Sequence, residues 1–161
     1  MRMNDMNDLP PLRFPPYDFK ISRDSEKYFI FDEVRRKYVV LSPEEWVRQH
    51  LLHYFFSAEL PRALMAVEKE WLIYKLRKRT DIVIFNKVGV PVMLVECKSP
   101  YVKIASRESA QALRYNLLLQ CPFLLISNGI QHLYYRHNKL GTSLIATDLM
   151  APENLRRLLA L

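Results

Sequence analysis

Thr80-Asp81-Ile82-Val83-Ile84-Phe85-Asn86, a short turn, and Val90-Pro91-Val92-Met93-Leu94-Val95-Glu96-Cys97-Lys98 form the stretch on which the fold turns. Both runs are rich in β-branched and apolar residues, and the spacing predicts strands over 80–86 and 90–98. A period of two puts Asp81, Val83 and Phe85 on one face of the first strand and Ile82 and Ile84 on the other. In the second, Val92, Leu94, Glu96 and Lys98 share a face, with Val95 and Cys97 opposite. Residues 92–95 are apolar on both faces, as in a central strand covered from both sides. Glu96 and Lys98 then stand as two like-facing charges at its end, and Ser99-Pro100 stops it.

Working upstream, 28–31 and 37–41 are β-prone runs around the charged 32–36 and read as a hairpin. Ser42-Pro43-Glu44-Glu45 supplies an N-cap, a proline at the first helical position and a capping-box glutamate, predicting a helix to about residue 57. Its buried stripe runs through Val47, Leu51, Tyr54 and Phe55. That phase turns Glu44 inward and Glu45 further round. A short helix is expected at 61–65 and a strand at 67–73. Downstream, Ala110, Leu113, Leu117 and Leu118 space a helix over 106–120, followed by strands at 123–127 and 132–136 and a last helix at 152–159. Residues 1–23 hold Pro10, Pro11, Pro15 and Pro16 and no regular period, so they read as an extended arm ordered where Leu12, Phe14, Tyr17 and Phe19 dock. Residues 24–161 read as one domain. A hairpin, a helix, consecutive strands and a crossover helix predict an α/β fold with a mixed central sheet flanked by helices.

Composition narrows the function. The 161 residues are 50% apolar and 25% charged, with a net charge of +7 that suits a polyanion. Gly89, Gly129 and Gly141 are too few and too scattered for a phosphate-cradling loop, which excludes Walker-type NTPases and Rossmann enzymes. Cys97 and Cys121 stand apart, no apolar leader is visible, and 117–126 is too short and too broken to span a bilayer. A reducing, cytoplasmic setting without a membrane is expected.

Charges at the end of a central strand are costly to desolvate unless paired or bound to an ion. Asp81 and Glu96 on adjacent strands would suit Mg²⁺, an oxygen-seeking ion that keeps several waters. Lys98 would orient or deprotonate the attacking water and offset phosphate charge, the division of labour needed for phosphodiester hydrolysis. The same residues also read as a strand-turn cap at Asp81 and a surface Glu96–Lys98 ion pair. Against that, Asp81 begins the strand directly before the one carrying Glu96, the strands around them are strongly apolar, and Gln111 and Tyr115 lie i and i+4 on the downstream helix.

Arg79-Thr80-Asp81-Ile82-Val83-Ile84, Val95-Glu96-Cys97-Lys98-Ser99-Pro100 and Gln111-Ala112-Leu113-Arg114-Tyr115-Asn116 together resemble the PD-(D/E)XK nuclease superfamily. More narrowly, they are similar to the nuclease-type N-terminal domain of type I restriction enzyme R proteins. Glu44 to His50 and Ser127-Asn128-Gly129 fit the same pattern, which covers roughly 43–136. The resemblance implies a restriction-endonuclease-like fold, Asp81 and Glu96 as metal ligands, Lys98 as the catalytic lysine, and Mg²⁺ as cofactor with Mn²⁺ as a substitute. Gln111 and Tyr115 match the Q-x-x-x-Y helix motif of RecB-like nucleases, near substrate or metal. A first-helix glutamate often completes such sites; the face argument favours Glu44, with Glu68 as rival. Thr80 stands where the motif has a nominal proline. Nothing in the chain resembles the helicase motor that normally follows, so a separate helicase or specificity subunit is an expected partner beside DNA.

Lys75, Arg77, Lys78 and Arg79, beside Tyr74 and close to Asp81, read either as a basic turn leading a phosphate backbone to the site or as a solvated turn between strands. His50, His53, His132 and His137 lack a zinc spacing with either cysteine. The expected function is a Mg²⁺-dependent DNA endonuclease or exonuclease of a restriction or repair system. The alternative is a non-catalytic module that keeps the fold and binds nucleic acid or protein.

Overall fold

The computed structural model describes residues 9–73, 76–105, 113, 116 and 119–159. A three-stranded antiparallel sheet comes first, with β1 (Ile21–Asp24), β2 (Lys27–Asp32) and β3 (Lys37–Val40) in that order. Helix α1 (Pro43–Ser57) and a 3₁₀ turn (Arg62–Leu64) lead into a six-stranded sheet. Its strands lie side by side in chain order: β4 (Met65–Ile73), β5 (Leu76–Phe85), β6 (Pro91–Cys97), β7 (Phe123–Ser127), β8 (His132–Asn138) and β9 (Gly141–Ala146). Helix α2 (Pro152–Leu159) follows. β6 and β7 pair in parallel and the other neighbours are antiparallel. A parallel pair needs a long crossover, and Leu113, Asn116 and Leu119 in that crossover are helical.

The sheet is mixed and its central strand is covered on both faces, as the double-sided apolar run at 92–95 requires. Ile82, Ile84, Met93, Val95 and Cys97 pack with Val47, Leu51, Leu52 and Phe55 of α1. Val83, Leu94, Leu124 and Ile126 pack on the other side with Ile104 and Cys121. Ser42 caps α1, its Oγ accepting the Glu45 N–H at 3.1 Å, with Pro43 in the first turn. The turn between β5 and β6 is closed by Asn86 Oδ1, which accepts the N–H groups of Val88 and Val90, and Gly89 supplies the positive φ of +81°.

Four elements differ from the sequence reading. β1 begins at Ile21, inside the stretch read as an arm, and β9 is a strand that the spacing does not predict. Both are largely exposed edge strands with no apolar alternation, so only ladder pairing defines them. The helix expected at 61–65 is a single 3₁₀ turn. The basic run is strand rather than turn: β5 starts at Leu76, and Asp81 lies in its interior rather than at its start. β4 and β5 pair as far as Ile73↔Leu76, whereas β6 joins β5 only from Ile82. The strands therefore continue past the sheet as a two-stranded ribbon. Beyond the sheet the ribbon can expose charged residues such as Arg77 and Arg79, while Trp71 packs back on the core and Thr80 is buried. The arm docks as expected, with Leu12, Phe14 and Tyr17 on the core and Phe19 against Trp46, His50 and His53.

Candidate active site

Three chain segments converge where β6 ends. Ile82 pairs with Val95, and Asp81 and Glu96 are the next residues outward on the two strands. The Asp81 carboxylate is tied to β6 by its Oδ2, which accepts the Cys97 N–H at 2.7 Å. Lys98 continues the parallel ladder beyond β6, its N–H donating to the Ser127 carbonyl at 2.8 Å. Its Nζ donates to Glu96 Oε1 at 2.7 Å, and the two side chains are only 20% and 14% exposed, so they are not a surface ion pair. The start of α1 brings Glu44 to the same place. Burial, and then the negative charge of Asp81, raise the pKa of both Glu44 and Glu96. Burial works against the Lys98 ammonium, but the hydrogen bond and charge of Glu96, with Asp81 and Glu44 beyond, raise its pKa overall.

The Ser127-Asn128-Gly129 corner holds this end of the sheet. Ser127 Oγ accepts the Gly129 N–H at 3.0 Å, and Asn128 Oδ1 accepts from Ile130 and Gln131 at 3.0 and 2.7 Å. Gly129 has φ +81°, a left-handed backbone that a residue with a Cβ adopts only under strain, and it sits against Leu12 of the docked arm. The corner thus orients the backbone that carries Lys98.

Glu45, read as further round the helix than an inward Glu44, is the more buried of the paired glutamates. It is 5% exposed, whereas the Glu44 side chain is 47% exposed. The reason is a charge network that the apolar stripe could not reveal. Arg35 reaches from the β2–β3 hairpin to Asp32 at 2.8 Å, to Glu68 at 2.7 Å and to Glu45. Arg48, with a side chain 4% exposed, binds Glu45, Asp81 at 2.7 Å and Glu44 at 3.2 Å. Gln49 Nε2 donates to Asp32 and Glu45 at 2.8 Å each. Buried charges persist when each finds opposite partners, and here the chain of pairs runs from the hairpin through α1 to the candidate site. Sequence reasoning missed Arg48, Arg35 and Asp32. The signal that could have found Arg48 is its i+4 and i+3 spacing from Glu44 and Glu45.

Glu68, the rival to Glu44, has φ +51° and is held by Arg35, with Arg79 at 3.6 Å and Arg48 at 3.9 Å. Among the described residues its charge is matched by arginines alone, whereas Glu44, also paired with Arg48, feels Asp81 and Lys98 as well. Arg77 and Arg79 are exposed on the ribbon, at 83% and 64%, with Arg77 3.8 Å from Glu70. Lys78 lies in β5 opposite Trp71. Lys75, Gln111 and Tyr115 lie outside the described residues.

Among the described residues no three His, Cys, Asp or Glu side chains close on a common point as a ready-made metal cage. The donor set nevertheless fits Mg²⁺. Asp81 and Glu96 offer hard carboxylate oxygens on adjoining strand positions, and that ion takes few protein ligands beside water and substrate phosphate. Cys97 and Cys121 are free and buried, and burial raises both thiol pKa values, that of Cys121 to about 12, so neither offers a ready thiolate.

The family described as Type I restriction enzyme R protein N terminus (HSDR_N) matches residues 43–147. The chain belongs to this family. The matched region of this R-protein N-terminal domain begins at the first turn of α1 and contains Glu44, Asp81, Glu96 and Lys98, while β1–β3 precede it. In fold the domain is similar to a fragment structure described as an HsdR subunit of a type I restriction enzyme from Vibrio vulnificus YJ016. The two are 16% identical with a TM-score of 0.55, and the match covers 74% of this chain and 25% of that one. The R-protein domain thus spans about a quarter of that relative. No curated protein matches it. Among the described residues no helix is long and apolar enough to cross a membrane.

Proposed function

We propose that this R-protein N-terminal domain is a metal-dependent nuclease module that hydrolyses DNA phosphodiester bonds as part of a restriction system. The observation that carries the reading is the convergence of Asp81, Glu96, Lys98 and Glu44 at the end of the central strand. There, mutual repulsion and burial leave two carboxylates with raised pKa values, an imbalance that a divalent cation relieves. When bound, Mg²⁺ would neutralise phosphate charge and acidify a water. Asp81 and Glu96 would hold it, Mn²⁺ serving as a substitute, with Glu44 as the third carboxylate at its edge. Lys98, anchored by Glu96 and by the Ser127 carbonyl, orients the attacking water and stabilises charge developing on the phosphate. The water oxygen adds to phosphorus as the ester P–O bond breaks, its proton passing to solvent water and the leaving oxygen taking up one from solvent. Arg77 and Arg79 on the ribbon neutralise flanking phosphates, with Lys75 and Lys78 assigned the same task from the sequence, and Gln111 and Tyr115 are assigned to substrate. A helicase motor and a specificity subunit, on other parts of the R protein or other chains, would deliver the DNA.

One observation favours the alternative of a non-catalytic nucleic-acid-binding module: both Asp81 oxygens already have donors, Arg48 on Oδ1 and the Cys97 N–H on Oδ2. Cleavage separates the readings. Purified protein incubated with plasmid, linear duplex and single-stranded DNA should cut in Mg²⁺ or Mn²⁺, stop in EDTA, and lose activity in Asp81→Ala. DNA binding without cleavage on every substrate, unchanged in Asp81→Ala, would establish the module instead.

A further inference from the structure

We infer that Arg48 is a built-in counter-cation that occupies Asp81 in the metal-free protein and yields it to a divalent metal, so that metal loading and the shift of one guanidinium are coupled. The inference rests on the nuclease reading above and adds a means of regulating the same site.

Arg48 Nη2 donates to Asp81 Oδ1 at 2.7 Å, while Oδ2 is committed to the Cys97 backbone. The backbone bond fixes Oδ2 on β6 while leaving it a lone pair, so the guanidinium on Oδ1 is the movable donor that stands between this carboxylate and a metal. A monovalent fork and a divalent ion placed on one carboxylate repel, so one must withdraw. The network provides the place to withdraw to. Nη1 is anchored on Glu45 Oε2 and lies 3.9 Å from Glu68 Oε1, beyond hydrogen-bond length but within a small rotation. Glu68 Oε2 is held by Arg35, which keeps Oε1 turned toward Arg48 and Arg79. Arg48 Nε is buried with no acceptor among the described residues, so its present seat does not satisfy the whole guanidinium. Leaving Asp81 for Glu68 strands no buried charge, because Glu45 stays paired throughout. The same Nη2 also holds Glu44 at 3.2 Å, so the shift releases two carboxylates together.

The test is calorimetric titration of Mn²⁺ without DNA into wild type, Arg48→Met, Arg62→Met and Asp81→Ala. Arg48→Met should bind about tenfold more tightly than wild type, the order expected when one charge-assisted hydrogen bond is removed from the competing state. Arg62→Met removes the same charge from the 3₁₀ turn, where the guanidinium stacks on Phe56, and should stay within about twofold of wild type. Asp81→Ala should lose the site. Because Arg48→Met leaves Glu45 short of a partner, the double variant Arg48→Met/Glu45→Gln is titrated beside it, with circular dichroism confirming that both fold. An unchanged or weakened affinity in the Arg48 variants, or an equal gain in Arg62→Met, overturns the counter-cation and leaves the nuclease reading standing. Absence of Mn²⁺ binding in every variant, with DNA as well as without, overturns both.

Discussion

Replacing Lys98 with methionine keeps the aliphatic stem and removes the charge that neutralises Glu96. A hydrogen bond to a charged group contributes about 1.5–3 kcal/mol net. Lys98 and Glu96 keep 20% and 14% of their side-chain surface, so solvent moderates the pair and a loss of about 1–2 kcal/mol is expected. The loss has a second source: the ammonium is what offsets the burial and the negative charges of Asp81 and Glu44, all of which act to raise the pKa of Glu96. Glu96→Gln should behave differently, because removing one carboxylate relieves that repulsion and offsets the lost pair, leaving stability within about 0.5 kcal/mol of wild type. Urea denaturation of wild type, both single variants and the double variant, in EDTA at pH 7.5, gives the coupling energy, expected near 1 kcal/mol. Hydrolysis by Lys98→Met should fall on the order of 10²–10³-fold, more than its stability change explains. Equal destabilisation by the two single variants with coupling below about 0.3 kcal/mol would refute the argument, since that is how a solvated surface pair behaves.

Arg35→Met should cost about 3–5 kcal/mol in a urea midpoint experiment, because, among the described residues, it removes the one ion pair of the fully buried Asp32 and the nearest arginine of Glu68, and leaves Glu45 paired with Arg48 alone; a loss under 1 kcal/mol would mean that the network is wet. Neutralising Arg77 and Arg79 together should flatten the log–log salt dependence of DNA binding, read by fluorescence anisotropy, by roughly 0.9 for each phosphate they neutralise in the wild type. An unchanged slope would assign the ribbon to ordinary surface. Burial lowers the pKa of His50 and of His132 to about 4, from an ordinary 6.5. Between those values the unfolded chain binds more protons than the folded one. Stability that is complete above about pH 6.5 should therefore fall on acidification toward pH 4, each histidine adding up to about 1.4 kcal/mol per pH unit. Glu44 and Glu96, raised above 4.5, oppose this at the acid end of the window. Midpoints measured at pH 7, 6 and 5 should fall in turn and fall less in His50→Gln/His132→Gln; a flat profile would contradict the burial argument.

What the sequence determined by itself was local or periodic. The N-cap at Ser42, the double-faced apolar run of β6, and the alternation that sets Asp81 and Glu96 at neighbouring positions of adjacent strands follow from side-chain chemistry and from the periods of helix and strand. The order of those elements was enough to suggest the family. Tertiary structure alone decided which charges meet. Glu45 looked peripheral on the helix wheel and is buried because Arg35 arrives from a hairpin tip and Arg48 from the next turn of the helix, closing contacts that no period encodes. β1 and β9 exist through ladder pairing, and the basic run became a ribbon because β6 ends its pairing at Ile82. Arg48 on Asp81 joins residues 33 positions apart. That contact is set by how α1 packs on the sheet, since packing, unlike periodicity, depends on every element at once.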